Sequence, residues 1–524
     1  MMSSENPAQK GRPAVFLDRD GTLIEDRGDL SRPADVVLFP DAIPALRRLA
    51  EQFELFIVTH QGGVGRGVLT MRDVDRIHHE LLSRLQAQGV RIRRVYVCPH
   101  RRDEMCECIK PKPTFLLAAA KEFGIDLRRS FTVGDHPHDV QLGRAAGATG
   151  LYVRTGHGEK HRGELSPDVV VLPGIREAAE WILADAEARR RSEDFDRDVA
   201  DAAAVLLAGG LVAFPTETVY GLGAHALNPT AVARVFEVKQ RPRFDPLIVH
   251  VPDWRSVPTL VTDIPPLAEQ LMARFWPGPL TLVLPKAAIV PDVVTAGLPT
   301  VAVRCPRHPV AQALLRQSGV PIAAPSANRF GCLSPTTAEH VREQLGAAVG
   351  RILDAGPCSV GVESTVVAID EEGVTLLREG GVPREELEAL AGPIRCAQGD
   401  RSRPSSPGQL PRHYAPETPL RLWDEATAAQ LRGRIGLLAF REPVPEGPWS
   451  AVEILSTEGD LREAAATLFA KLRALDAMNL DWIVAQPAPE VGLGRAINDR
   501  LRRAACDREG CDTPPAAFQE SGNP

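Results

Sequence analysis

Val15-Phe16-Leu17-Asp18-Arg19-Asp20-Gly21-Thr22-Leu23 decides the fold of the first third of this chain. An apolar run of strand length stops at two carboxylates, and a glycine follows where the backbone must turn sharply. Asp18 and Asp20 are two residues apart, so in extended geometry they point to the same side. Outward from this stretch, apolar runs at 14–17, 55–59, 95–98, 131–134 and 150–153 read as strands. Amphipathic stretches at 42–52 and 71–88 read as helices between them. Alternating β and α predicts a doubly wound parallel sheet with ligands at the carboxyl ends of its strands.

The residues at those strand ends suggest phosphoryl chemistry. One carboxylate of the Asp18/Asp20 pair can attack phosphorus while the other protonates the leaving oxygen and then activates water. Thr59 ends the second strand and can donate to the phosphoryl group, and Lys110 can offset transition-state charge. A carboxylate facing a phosphate dianion needs a divalent cation, and Asp135 and Asp139 in Gly134-Asp135-His136-Pro137-His138-Asp139 add oxygen ligands suited to Mg²⁺ beside Asp18 and Asp20. Cys98, His100, Cys106 and Cys108 form two close pairs of soft ligands, the set of a closed structural zinc site. That clip precedes Lys110 and would anchor the loop that presents it. His60, His136 and His138 read as substrate-loop or surface residues, since the aspartates already fill the acid–base roles.

This ensemble resembles the haloacid dehalogenase superfamily. The zinc set and the loop from Thr59 to Gly67 narrow the likeness to the subgroup of D-glycero-D-manno-heptose 1,7-bisphosphate phosphatase and histidinol phosphatase, over about residues 12–160. The resemblance implies a Mg²⁺-dependent sugar (bis)phosphate phosphatase working through an aspartyl-phosphate. That subgroup commonly carries Arg just before the lysine, where this chain has Ile109, which weakens recognition of a second phosphate or sugar hydroxyl.

A second signature starts about two hundred residues on, with Phe214-Pro215-Thr216-Glu217-Thr218-Val219-Tyr220-Gly221-Leu222-Gly223. Lys239 and Arg241 beside Pro242 place two cations on a stiffened loop, suited to a triphosphate. The segment from Lys239 to His250, the run from Phe275 to Thr281, Arg304, Pro325-Ser326-Ala327-Asn328 and Glu363-Ser364-Thr365-Val366-Val367 follow in order. Together they resemble the YrdC-like domain of L-threonylcarbamoyl-AMP synthases over about residues 197–395.

By that resemblance Arg241, Asp245, Thr300, Ser326, Ser334 and Arg378 take ATP with Lys239 nearby, while Thr218, His250, Arg304 and Ser364 take L-threonine. The implied reaction joins threonine, bicarbonate and ATP and releases pyrophosphate, for tRNA threonylcarbamoyladenosine formation by a separate threonylcarbamoyl transferase. Longer members carry a linker and a further domain. Ser406 to Pro416 resembles that linker, making Tyr414 a lid residue over ATP, and Gly492 to Leu501 resembles the terminal-domain signature.

The expected architecture is therefore α/β multidomain. It comprises a haloacid dehalogenase-like domain at 12–185, a YrdC-like domain at 195–395, a linker at 396–416, a small α/β domain at 417–505 and a disordered tail at 506–524. A helix is expected over 175–193. The net charge of −7 speaks against strong direct tRNA binding, and no apolar run reaches the length of a membrane span. Nine cysteines in 524 residues make no disulfide scaffold, which favours a cytoplasmic setting. Two other readings stand beside this one: a YrdC-like RNA-binding module, and an inert zinc-stabilised phosphatase scaffold.

Overall fold

The computed structural model describes residues 11–397, 406, 413–424 and 431–505. The tail expected at 506–524 and most of the expected linker lie outside them. The chain divides into two compact units, Met1–Asp194 and Phe195–Pro524. The boundaries expected near residues 395 and 417 fall inside the second unit.

The first unit is built on six parallel strands: β1 (Ala14–Leu17), β2 (Glu54–His60), β3 (Arg94–Cys98), β4 (Phe131–Gly134), β5 (Thr149–Val153) and β6 (Val170–Leu172). Their order is β3-β2-β1-β4-β5-β6, so the strand order reverses beside β1, where such sheets open a crevice. β1 is buried along its whole length, and its alternate side chains serve two cores. Val15 and Leu17 pack on one face with Leu46 and Ile182, and Ala14 and Phe16 on the other with Phe56 and Leu116. An apolar strand without alternation is what a sheet covered by helices on both faces requires.

The second unit holds a mixed ten-stranded sheet among the described residues, ordered β13-β7-β8-β12-β9-β11-β10-β14-β15-β16. These strands are β7 (Val212–Phe214), β8 (Gly221–His225), β9 (Ile248–His250), β10 (Leu280–Pro285), β11 (Thr300–Arg304), β12 (Ile322–Ala323), β13 (Arg351–Ile352), β14 (Thr365–Asp370), β15 (Gly373–Arg378) and β16 (Arg395–Cys396). A smaller parallel sheet follows, ordered β17-β20-β18-β19, from β17 (Leu420–Leu422), β18 (Ile435–Ala439), β19 (Trp449–Ile454) and β20 (Trp482–Ala485). Its core extends into the loops of the larger sheet, because Val219, Leu333, Val362 and Tyr414 cluster with Leu468, Phe469 and Ile497.

The helix expected over 175–193 runs instead over Ile175–Leu207. No glycine or proline interrupts that sequence before Gly209, so nothing ends it at the expected domain boundary. No helix among the described residues is long and apolar enough to cross a membrane.

Candidate active sites

In the first unit the carboxyl ends of β1 and β4 bring Asp18, Asp135 and Asp139 together, with ligand oxygens all within 4.8 Å of one another. Lys110 Nζ donates to Asp18 Oδ1 at 2.5 Å and to Asp139 Oδ1 at 2.6 Å. The backbone makes room for this crowding. A Cβ on Gly21 would stand 2.1 Å from Asp135 Oδ2, and one on Gly156 2.2 Å, so only glycine fits at either place.

Burial pushes Asp18 well above the ordinary carboxylate range, with Asp139, Asp135 and Asp20 adding to the rise against Lys110. Burial likewise lifts Asp135 to about 6. Burial lowers Lys110, but Asp139 and Asp18 outweigh it and raise it above its usual value. Three carboxylates held this close repel one another, and one lysine offsets only part of that charge. A hard divalent cation fits the all-oxygen donor set.

Asp20, expected with that cation, stands outside the cluster. Arg19 donates to both of its oxygens at 3.0 Å, and Gln61 Nε2 donates to Oδ2 at 2.8 Å. Thr59 Oγ1 reaches the same oxygen only at 3.5 Å. Arg19 is itself fixed, with Nη1 2.9 Å from His78 Nε2 in the interior. Arg19, Gln61 and His78 were not assigned from sequence. Adjacency to the aspartate pair was the available signal for the first. His78 carried none, since its partner lies 59 positions away.

The four soft ligands converge as expected. Cys98 Sγ lies 3.4 Å from Cys108 Sγ and 3.8 Å from Cys106 Sγ, with 3.8 Å between Cys106 and Cys108. His100 Nδ1 lies 3.3 Å from Cys108 Sγ and 3.8 Å from Cys98 Sγ. A tetrahedron with metal–sulfur bonds of about 2.3 Å has edges of about 3.8 Å, so the set fits Zn²⁺.

The cavity above Asp18 has a volume of about 390 Å³. Thr59, His60, His136, His138 and His157 share its wall with Arg102 and Ile109. His136 stacks on His138 with ring centroids 4.5 Å apart. Arg102 has no ion-pair partner among the described residues.

The second site opens at the ends of β9, β11 and β14. Its cavity is only about 40 Å³, lined by Thr218, Arg241, His250, Arg304, Ser326, Ser364 and Arg378 and closed by His413 and Tyr414. At one end Arg304 donates to Thr218 Oγ1 at 2.9 Å and to the Gly278 carbonyl at 3.3 Å. It also meets Glu217 in a buried ion pair of 2.8 Å. Arg304 Nη2, Glu217 Oε1 and His250 Nδ1 are buried without an aligned hydrogen-bond partner. Burial, with Arg304 adding, lowers His250 to about 3, so its ring is neutral at physiological pH.

At the other end Arg378 donates to the Ser364 carbonyl at 2.8 Å and to its hydroxyl at 3.1 Å. Arg241 pairs with Asp245 at 2.9 Å, and Asp245 is fully buried, so this carboxylate is the counter-ion of Arg241. Lys239 does not line the cavity; its Nζ donates at 2.5 Å to the carbonyls of Ser326 and Asn328 and so holds that loop. Ser334 donates to Glu363 Oε1 at 2.5 Å. Thr300 begins β11, the strand that Arg304 ends, and does not line the cavity. Tyr414 is 1% exposed and takes a left-handed φ of 63°. Glu217, Glu363 and His413 were not assigned from sequence, although each stands inside a stretch that carried the resemblance.

Two phosphate-handling folds on one chain define a fused pair of enzymes. Residues 204–380 match the family described as "Telomere recombination", the Sua5/YciO/YrdC domain. Residues 382–506 match the threonylcarbamoyl-AMP synthase C-terminal domain, and residues 107–178 the HAD-hydrolase-like family. The threonylcarbamoyl-AMP synthase of Bacillus subtilis is 44% identical over 328 residues, covering 60% of this chain and 94% of its own. That of Pyrococcus abyssi is 43% identical, covering 60% and 96%. A crystal structure of P. abyssi Sua5 complexed with L-threonine superposes with a TM-score of 0.56 at 41% identity, over 59% of this chain and 94% of that one. The D-glycero-beta-D-manno-heptose-1,7-bisphosphate 7-phosphatase of Yersinia pestis is 38% identical over 168 residues, 30% of this chain and 89% of its own. The chain belongs to the threonylcarbamoyl-AMP synthase family, with a haloacid dehalogenase-like hydrolase fused ahead of it.

Proposed function

We propose that the second unit forms L-threonylcarbamoyl-AMP from L-threonine, bicarbonate and ATP, for tRNA modification by a separate transferase, in the cytoplasm. The observation that carries this reading is the buried wall at one end of the cavity, where the Arg304–Glu217 ion pair stands beside His250, whose Nδ1 has no hydrogen-bond partner. A guanidinium, a carboxylate and an unpartnered ring nitrogen in a buried wall suit a polar ligand, and an amino acid offers both a carboxylate and an amine. Arg241, Ser326 and Arg378 at the other end suit the nucleotide, with Tyr414 closing over it. The threonine amine attacks bicarbonate carbon and water leaves, giving a carbamate. A carbamate oxygen then attacks the α-phosphorus and pyrophosphate departs. No side chain needs to act as nucleophile, so positioning and charge neutralisation supply the rate. Purified protein given ATP, bicarbonate and labelled threonine should yield the adenylate and pyrophosphate. Pyrophosphate released without threonine, or tight tRNA binding with no adenylate, would favour the RNA-binding module instead.

For the first unit the same reasoning supports a sugar (bis)phosphate phosphatase. Asp18 attacks phosphorus to give an aspartyl-phosphate. Asp20, turned toward Thr59 and Gln61 and away from the Asp135–Asp139 cluster, protonates the leaving oxygen and then takes a proton from water. Asp18, Asp135 and Asp139 would hold Mg²⁺, which shields the entering phosphate from their charge. Cys98, His100, Cys106 and Cys108 would hold a structural Zn²⁺. Screening sugar monophosphates and bisphosphates for Mg²⁺-dependent phosphate release tests this, and release from none would leave the inert scaffold.

A further inference from the structure

No step of the adenylate-forming reaction uses the stretch from Gly492 to Leu501, yet it carries the most thoroughly buried arginine of the terminal region. Arg500 lies on the helix Leu493–Ala504 and is 1% exposed. Each of its nitrogens is engaged. Nε donates to Glu363 Oε2 at 2.7 Å, Nη1 to Asp499 Oδ2 at 2.6 Å and Nη2 to the Glu379 carbonyl at 3.0 Å. Its guanidinium carbon also sits 4.9 Å from the centroid of the Tyr414 ring.

Two of these partners belong to the cavity. Glu363 lines it, and its other oxygen accepts from Ser334 at 2.5 Å, so one carboxylate bridges Arg500 and a residue assigned to ATP. Tyr414 is the linker residue that closes the same cavity. If the helix only needed a filled interface, an apolar side chain of similar volume would serve at least as well, because buried ion pairs seldom add net stability. A planar fork with three separate directions instead fixes the objects at its tips.

We propose that Arg500 is a positioning residue of the synthase site. It sets the rotamer of Glu363, and through it Ser334, while its face holds the Tyr414 ring in the closed arrangement. The terminal domain then completes the nucleotide end of the site and leaves the amino-acid end untouched. This inference rests on the adenylate-forming reading above.

The test uses the full chain and follows ATP and threonine separately. Arg500→Met combined with Glu363→Gln removes the guanidinium without stranding a buried charge, and the amide can still accept from Ser334. KM for ATP should rise by about tenfold or more while threonine affinity by calorimetry stays within about twofold. Adding Tyr414→Ala to this variant should lower activity by less than the product of the two separate losses, since Arg500 acts in part through Tyr414. Arg500→Lys keeps charge and bulk but loses the fork, and should move KM for ATP in the same direction. An unchanged KM for ATP in a folded variant, or equal weakening of ATP and threonine, overturns the proposal. If the double variant does not fold, Arg500→Lys decides in the same terms. Wild-type protein that forms no adenylate would remove the reading beneath the proposal, which is a different result.

Discussion

Arg304 illustrates how one side chain serves binding and folding together. Its guanidinium faces the cavity, but Glu217 already neutralises it from behind in a pair with both side chains at most 4% exposed. Arg304→Ala should weaken threonine binding by about 2–3 kcal/mol through loss of a charge-assisted bond. It should also destabilise the second unit, by about 3–5 kcal/mol, because Glu217 is left buried and unpaired. Thermal melts and threonine titrations separate the two effects. Adding Glu217→Gln should restore most of the stability and none of the affinity, and recovery of both would place the carboxylate contact elsewhere. In the first unit, Ile109 and Arg102 occupy the same cavity wall. The cation missing beside Lys110 therefore has a neighbour that can face a distal anionic group. Arg102→Ala should raise KM about tenfold for a sugar bisphosphate and much less for a monophosphate. Equal changes for both would show that Arg102 does not touch the second group.

Elements were legible where local pattern and tertiary demand agreed. β1 was readable because an apolar run ending in a carboxylate pair suits a strand covered on both faces. The convergence of Cys98, His100, Cys106 and Cys108 was readable because soft side chains at close spacing have few other uses. The helix Ile175–Leu207 was cut short because a change of domain was expected where no breaker stands. Glu363–Arg500 and Arg19–His78 were not legible as pairs, because each joins positions far apart in sequence that no local period relates. The Cys98–Cys108 loop yields its own expectation. Cys106→Ser should lower the melting temperature of the first unit by about 5–10 °C, with little change in the Mg²⁺ concentration needed for turnover. Elemental analysis of protein purified without chelator should find about one zinc per chain. Absence of zinc, or a shifted Mg²⁺ requirement with an unchanged melt, would contradict a structural role.

At the scale of the whole chain, the two units have separate cores and separate chemistry. Asp18→Asn removes the carboxylate proposed as nucleophile, so it should abolish phosphate release while leaving adenylate formation within about twofold of wild type. A large fall in the second activity would mean that the units are energetically linked. In the second unit, the larger sheet lends Val219, Leu333 and Val362 to the core of the smaller one. Deleting residues 413–505 should therefore expose apolar surface as well as open the nucleotide end. Such a chain should aggregate or melt early even with threonine bound, and a soluble truncation with full activity would argue against this.

The cavity of about 40 Å³ has room for roughly one or two water molecules and none for a nucleotide. Loading should therefore pass through an opened state in which buried aromatic surface at His413 and Tyr414 meets solvent before Tyr414 closes over the nucleotide. Exposing apolar rings raises the heat capacity, so the opening step should carry a positive heat-capacity change of activation. The rate of nucleotide association should then show a curved temperature dependence, and a straighter one when Tyr414 is replaced by alanine.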